Sequence, residues 1–245
     1  MSTLELPQSS KVAVTIAVAA LGIACYRASV HDGASVWLAL AAFFISGFVG
    51  DLFTGLAHFA FDYVFPVKMP ILGPIAKEFR EHHECPTLDP SAYLVNFTKG
   101  AYSSLPFSLI AILISGSVPF LLTATIVGMS VWALFFHQIH SYSHMGSILP
   151  PDEFNRRALE ISRLPSKRAQ RREFETLFAT VPIPPVIRVL QRCRLILNPR
   201  SHNLHHILFE SNFSSVNGWS DPVTNPVLGP ISRRLKARSA AALRA

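Results

Sequence analysis

The sequence predicts an all-α integral membrane protein with about four transmembrane helices and a cytoplasmic cap that is rich in histidine. Half of the 245 residues are hydrophobic and only 15% are charged, whereas a globular protein has about 25% charged residues. This surplus of apolar surface needs a bilayer to cover it. The apolar residues also concentrate in four stretches of near-membrane length. From the length we expect a single domain over residues 1–245.

The four apolar stretches are expected to form the transmembrane helices, at residues 11–30, 34–58, 102–116 and 118–139. The third is short for a bilayer crossing, which takes roughly 17–25 helical residues. Gly116-Ser117-Val118-Pro119 has the composition of a tight turn, so the last two helices are expected to be antiparallel. Residues 12–25 lack a secretory cleavage site and are expected to remain as a helix.

Basic residues predict the orientation, because cytoplasmic flanks carry an excess of Lys and Arg. With the N-terminus inside, only Arg27 falls on the outer side, and 16 of the 22 basic residues follow the fourth helix. Both termini and the histidine clusters are then cytoplasmic. The net charge of +7 suits an anionic membrane surface better than nucleic acid. The basic residues 167–172 and the apolar residues 181–187 are expected at the membrane interface, with a solvated face as the alternative.

Histidines supply the strongest functional signal. Nine of the ten fall in four groups, and His31 stands alone. Several are three or four residues apart, a spacing that places side chains on one face of a helix. Under the predicted topology the groups converge at one membrane face. The groups are His58 with Asp62; His82 and His83; His137, His140 and His144; and His202, His205 and His206.

Such a cluster predicts bound metal, because ionisable groups at membrane depth are costly unless something offsets their desolvation. Imidazole binds iron, zinc, copper and nickel alike. One zinc takes about four ligands, so eight or nine candidates indicate two metals. For His137 and Asp62, a hydrogen-bonded role without metal is an equal alternative. Arg80, Lys99 and Arg200 are candidates for binding a lipid headgroup, or are simply solvated.

Five motifs occur in order along the chain. They are Gly50-Asp51 through His58 and Asp62; Phe79-Arg80-Glu81-His82-His83 with Pro86-Thr87; His140-x3-His144; His202-x2-His205-His206; and Asn217-Gly218-Trp219. Together they resemble the plasmanylethanolamine desaturase family, the Kua or CarF-type lipid desaturases, which is related to the plant phosphatidylglycerol trans-desaturase. The resemblance covers about residues 40–235.

The resemblance implies an O2-dependent, di-iron oxidoreductase of the bacterial inner membrane or endoplasmic reticulum. Its electron donor would be an external protein of the cytochrome b5 or ferredoxin type. The product would be a vinyl ether phospholipid, a plasmalogen made from an alkyl ether lipid. Asp62 would be a further ligand or an acceptor that orients His58, and His137 would be extra. The family's eight-histidine pattern matches His58, His82, His83, His140, His144, His202, His205 and His206.

Other functions stay open at this point. An acyl-phospholipid desaturase or hydroxylase would use the same chemistry on a different chain. A metal-handling membrane protein would favour polar residues along a path across the bilayer rather than at one face. A membrane zinc hydrolase would need a carboxylate base beside a three-ligand site, for which Glu81 or Asp62 would serve.

Overall fold

The computed structural model describes residues 8–84, 89–144, 149–178 and 183–242, and within these ranges all regular structure is helical. Cys85 and the Pro86-Thr87 motif lie outside the described residues. The helices are α1 (Gln8–Ser29), α2 (Val36–Tyr63), α3 (Leu72–Glu84), α4 (Tyr93–Ile114), α5 (Phe120–Ser143), α6 (Pro151–Ser162), α7 (Lys167–Phe178), α8 (Pro185–Arg192), α9 (Pro199–Leu208) and α10 (Asp221–Ala242).

Four of these helices, α1, α2, α4 and α5, are long and apolar enough to cross a membrane, which confirms the predicted fold class. The largest differences from prediction are at two boundaries. α2 continues to Tyr63, so that His58 and Asp62 are helical, and α4 begins at Tyr93 rather than at residue 102. The first turns of α4 contain Asn96 and Lys99, and its mean hydropathy of 1.3 is below the 1.7 to 1.9 of the other spans. This polarity hid the start of α4 in the sequence.

The chain divides into two compact units. The first consists of residues 1–50 and 89–139, and the second of residues 51–88 and 140–245. The boundary between the units falls within α2, after Gly50, and within α5, after Ile139. The candidate ligands His58, Asp62 and His140 belong to the second unit.

Close packing of α4 against α5 organises the first unit. A Cβ added to Gly100 would lie 1.9 Å from the carbonyl oxygen of Leu134, so only glycine allows this backbone approach. Further along, Ser130 donates to the carbonyl oxygen of Ser104 at 2.9 Å and bonds the hydroxyl of Ser108. In these contacting pairs the residue number increases along α4 while it decreases along α5. The two helices therefore form the predicted antiparallel hairpin. Small residues at such a contact are typical of membrane helices.

Two apolar clusters hold the second unit together. Phe154 and Ala158 of α6 pack with Phe174 and Leu177 of α7, and Leu204 of α9 packs against them. A separate cluster joins α2 to α10: it consists of Phe59, Phe213 and Leu228. The helix that carries His202, His205 and His206 and the loop after it thus each pack against an apolar cluster of this unit.

Candidate metal centre

The side chains of eight histidines and Asp62 form two groups in the second unit. In each group, one ligand atom from every member lies within 4.8 Å of the ligand atoms of the others. The four-membered group consists of His58, Asp62, His83 and His205. The five-membered group consists of His82, His140, His144, His202 and His206.

The four-membered group is centred on Asp62, whose side chain is 5% exposed. His83 Nε2 lies 3.1 Å from Asp62 Oδ1 and 3.2 Å from His58 Nε2. Asp62 Oδ2 lies 3.5 Å from His205 Nε2 and 3.7 Å from His58 Nε2. Because His58 and Asp62 are four residues apart on α2, the helix itself points both toward the group.

The five-membered group converges on the Nε2 atom of His202. It lies 2.8 Å from His140 Nε2, 3.0 Å from His144 Nε2 and 3.0 Å from His206 Nε2. The His82 ring faces that of His144 edge-on, with centroids 4.8 Å apart. The two groups are adjacent, since the ring centroids of His83 and His206 are 4.6 Å apart.

Hydrogen bonding alone does not account for the five-membered group. A neutral imidazole nitrogen carries either one proton or one lone pair, so His202 Nε2 serves one of its three neighbours well and leaves the others unsatisfied. A shared cation removes this conflict by taking a lone pair from every nitrogen. Ligand nitrogens about 2.1 Å from one ion and at right angles lie about 3.0 Å apart. The observed separations of 2.8 to 3.0 Å fit that arrangement.

In the four-membered group, two histidines bond backbone carbonyl oxygens through the ring nitrogen that points away from the group. His58 Nδ1 lies 3.0 Å from the carbonyl oxygen of Phe213, and His205 Nδ1 lies 2.9 Å from that of Ser211. A carbonyl oxygen only accepts, so each Nδ1 carries the proton and each Nε2 keeps its lone pair toward the group. Histidine ligands of metals are usually oriented in this way by a second hydrogen bond.

The loop at residues 213–220 depends on one buried carboxylate of α2. Asp51 Oδ1 accepts from the backbone N–H groups of Val216, Asn217 and Gly218, at 2.9 to 3.2 Å. Asp51 Oδ2 accepts from the N–H and the hydroxyl of Ser220, both at 2.9 Å. Gly218 adopts a φ of 77°, a left-handed conformation that glycine allows without strain. Asp51 therefore shapes the loop that presents the acceptor of His58.

Aromatic side chains line the four-membered group. Phe79 contacts the His58 ring, Phe209 the His83 ring and Phe213 the His205 ring, with centroids 4.7 to 5.1 Å apart. The Tyr63 hydroxyl donates to the carbonyl oxygen of Phe209. The aromatic contacts accompany the burial of the His58, His83 and His205 side chains.

Burial also sets the protonation of the histidines outside the membrane spans. It lowers the pKa of His144, His202 and His206 well below the ordinary value, and the neighbouring histidines add to this effect. The pKa of His83 is lowered by burial, and contact with Asp62 opposes the shift. These imidazoles are therefore neutral near pH 7, which is the form that binds metal.

The remaining candidates from the sequence lie elsewhere. His137 is a member of neither group, and its ring contacts Phe136. His31 bonds the carbonyl oxygen of Val118 through Nε2 and accepts from the N–H of Gly33 through Nδ1, a structural role.

The three proposed headgroup residues have separate positions. Arg80 donates to the carbonyl oxygen of Phe65 at 2.9 Å, and the Arg200 guanidinium lies over the Phe174 ring. Lys99 belongs to the first unit.

Sequence reasoning missed the acceptors at Phe213 and Ser211, because a backbone carbonyl leaves no signature in the sequence. It also gave no role to Asp51. The motif Asn217-Gly218-Trp219 was the available signal, since it marks the loop that Asp51 binds.

Comparison with known proteins identifies the family of the chain. The model of the lipid desaturase domain family matches residues 47–181, a range that contains Asp51 and the candidate ligands of α2, α3 and α5 but ends before α9. A plasmanylethanolamine desaturase from Myxococcus xanthus is 25% identical over 235 residues, which cover 93% of this chain and 71% of the relative. No solved structure matches. Because the family model covers more than half of the sequence, the chain belongs to the lipid desaturase domain family and is a membrane oxidoreductase.

Proposed function

We propose that the protein is a di-iron, O2-dependent desaturase that converts an alkyl ether phospholipid, plasmanylethanolamine, into the vinyl ether plasmalogen. The observation that carries the proposal is the presence of two adjacent groups of ligand atoms, one of five imidazoles and one of three imidazoles with a carboxylate. The Myxococcus relative supports the choice of lipid.

The balance of the reaction requires a reductant. The alkyl chain gives up two hydrogen atoms, and O2 takes these together with two electrons and two protons to form two waters. The electrons would come from an external redox protein of the cytochrome b5 or ferredoxin type. Removal of hydrogen from an unactivated carbon is chemistry that no side chain performs, and bound iron with O2 supplies it.

The residues of this chain hold and insulate the reaction site. The eight histidines would bind the two irons through their Nε2 atoms, and Asp62 would be a ninth ligand that adds negative charge. The Nδ1–H groups of His58 and His205 donate to backbone carbonyl oxygens, and these hydrogen bonds keep both rings oriented. Phe79, Phe209 and Phe213 exclude water, which protects the chain being oxidised from side reactions.

The substrate would enter from the bilayer, with its headgroup at the surface. Arg80 precedes His82 by two residues on α3 and Arg200 precedes His202 by two on α9, and these two arginines would bind the lipid phosphate. Lys99 is a third candidate. In this arrangement the histidine clusters and both termini are cytoplasmic, in a bacterial inner membrane or the endoplasmic reticulum.

A zinc hydrolase fits the geometry less well. Five imidazoles exceed the three ligands and water of a catalytic zinc site. Glu81, one candidate base, is exposed and lies 3.5 Å from Lys77 Nζ, and the other, Asp62, is enclosed by three histidines.

Lipid mass spectrometry tests the reaction. The chain is expressed in desaturase-deficient cells that are fed an alkyl ether phospholipid. We expect an acid-labile product lighter by two hydrogens, absent with His205→Ala and retained with His137→Ala. A new acyl double bond would instead identify an acyl-lipid desaturase. Unchanged lipids in the presence of a competent electron donor would refute desaturation.

Metal analysis of the purified protein separates the remaining functions. Two irons per chain support the proposal. A single zinc with an unchanged lipid profile would indicate a hydrolase or a metal-handling protein.

A further inference from the structure

The short helix α8 presents its apolar face away from the protein. Val186 and Val189 are 63% and 54% exposed, and the exposed Cys193 follows on the same face. On the opposite side Gln191 is buried and donates to the carbonyl oxygen of Tyr142 at 3.3 Å. A surface helix in water has the reverse arrangement, with apolar residues inward and polar residues outward. The outward valines therefore need an apolar surrounding.

Positive charge lies beside this face. Arg188 and Arg192 are exposed on α8, and Arg194 follows it. The sequence contains no acidic residue between positions 176 and 209. An apolar stripe flanked by unopposed arginines is the pattern of a helix that lies in a membrane interface and binds anionic headgroups.

An aromatic residue bonds the chain just after α8. The Trp219 indole is half-buried, and its N–H donates to the carbonyl oxygen of Arg194 at 2.6 Å. Tryptophan is enriched at the level of lipid headgroups, where its ring is in an apolar layer and its N–H finds a polar partner. This residue also belongs to the loop that Asp51 holds.

We propose that α8 is an interfacial helix that inserts Val186 and Val189 into the acyl boundary of an anionic bilayer and places Arg188 and Arg192 at the lipid phosphates. The occupant of this surface is lipid, since the chain already has four helices able to span a membrane. The inference is independent of the reaction and of the bound metal.

The insertion has a consequence for the site. Only six residues separate α8 from α9, and the Asn198 side chain accepts from the N–H of Arg200 at 2.9 Å to begin α9. A helix held at the headgroup level thus fixes the depth of the histidines on α9.

Spin-label accessibility in vesicles tests the proposal on the full chain. Cys25, Cys85 and Cys193 are replaced by Ser, and single cysteines are introduced as Val186→Cys, Val189→Cys and, as a matched control on the same helix, Arg188→Cys. The protein is reconstituted in phosphatidylcholine with phosphatidylglycerol. We expect labels at 186 and 189 to be more accessible to O2 than to a water-soluble nickel complex, and the label at 188 to show the reverse.

Four outcomes would overturn the proposal. Equal nickel accessibility at all three positions would show a hydrated helix. Protection of 186 and 189 from both reagents would show a protein contact, and spin–spin broadening there would identify a second copy. Within the proposal, Arg192→Gln should move the label at 186 toward water in the anionic vesicles and leave it unchanged in phosphatidylcholine alone. If Arg192→Gln leaves the accessibility of the label at 186 unchanged in the anionic vesicles as well, the role of anionic lipid is contradicted.

Discussion

Replacement of Asp51 by Asn tests whether one carboxylate organises the loop behind His58. The carboxylate accepts five hydrogen bonds: three at Oδ1 from residues 216–218, and two at Oδ2 from Ser220. An amide has a single accepting oxygen. If that oxygen serves the three N–H groups, the amide nitrogen faces the N–H of Ser220, and two donors then oppose each other.

The magnitude follows from these contacts. An unsatisfied buried donor costs about 1–3 kcal/mol, and bonds that lose the ionic acceptor become roughly half as strong. We therefore expect the Asp51→Asn variant to lose about 2–4 kcal/mol of unfolding free energy, or roughly 5–15 °C in Tm. Displacement of the loop should also weaken metal binding by roughly 10- to 100-fold, as for other residues that orient metal ligands.

The assay compares the Tm of purified protein, with and without a chelator, and the iron content after dialysis. Asp221→Asn is the matched control. Asp221 is also buried, but the backbone hydrogen bond that it accepts, from the N–H of Ser214, is long at 3.4 Å. A Tm and an iron content for Asp51→Asn equal to those of Asp221→Asn would refute the reasoning. A lowered Tm that persists with the chelator would place the effect on the loop itself.

Three further predictions concern other parts of the molecule. Burial, with the charge of Asp51, raises the pKa of Asp221 to about 7; the folded protein then keeps a proton on Asp221 that the unfolded chain has lost, so the contribution of Asp221 to stability should fall by roughly 2–3 kcal/mol from pH 5 to pH 8, and the Tm of Asp221→Asn should rise relative to that of the unsubstituted protein over this range. Gly100→Ala should sharply reduce the yield of folded protein in membranes, because the new Cβ meets backbone at 1.9 Å, whereas Gly22→Ala, with nothing within 4 Å, should be neutral. His205→Ala should lower the metal content of purified protein and His137→Ala should not; equal loss in both variants would contradict the grouping.

The sequence allowed prediction of the elements whose signal is local. The apolar runs marked the membrane helices, and the spacing of His140 and His144 predicted that both lie on one side of the chain at the end of α5. The start of α4 was missed because its polar residues find partners only in the fold: the Asn96 amide donates to the Gln138 side chain and to the carbonyl oxygen of Asp89, both at 3.1 Å. Hydropathy over a short window of sequence does not depend on such contacts, so it cannot predict them.

The division of the histidines into two groups was also beyond the sequence. His82 and His83 were treated as a pair, yet successive residues on a helix point about 100° apart. The two side chains accordingly belong to different groups, as do His205 and His206. Adjacency in the chain predicted the presence of the cluster, whereas its partition depends on how α3 and α9 pack. The ligand set and the cytoplasmic orientation stay predictions.

The contact between Asp51 and the loop at residues 213–220 has a consequence for the timing of biosynthesis. The bonded residues are 165 or more positions apart, and a ribosome adds about 5–20 residues per second. The Phe213 carbonyl that accepts from His58 is therefore synthesised roughly 10–30 s after α2, when all four apolar helices have already been made. During translation the histidine site is thus completed after the membrane helices.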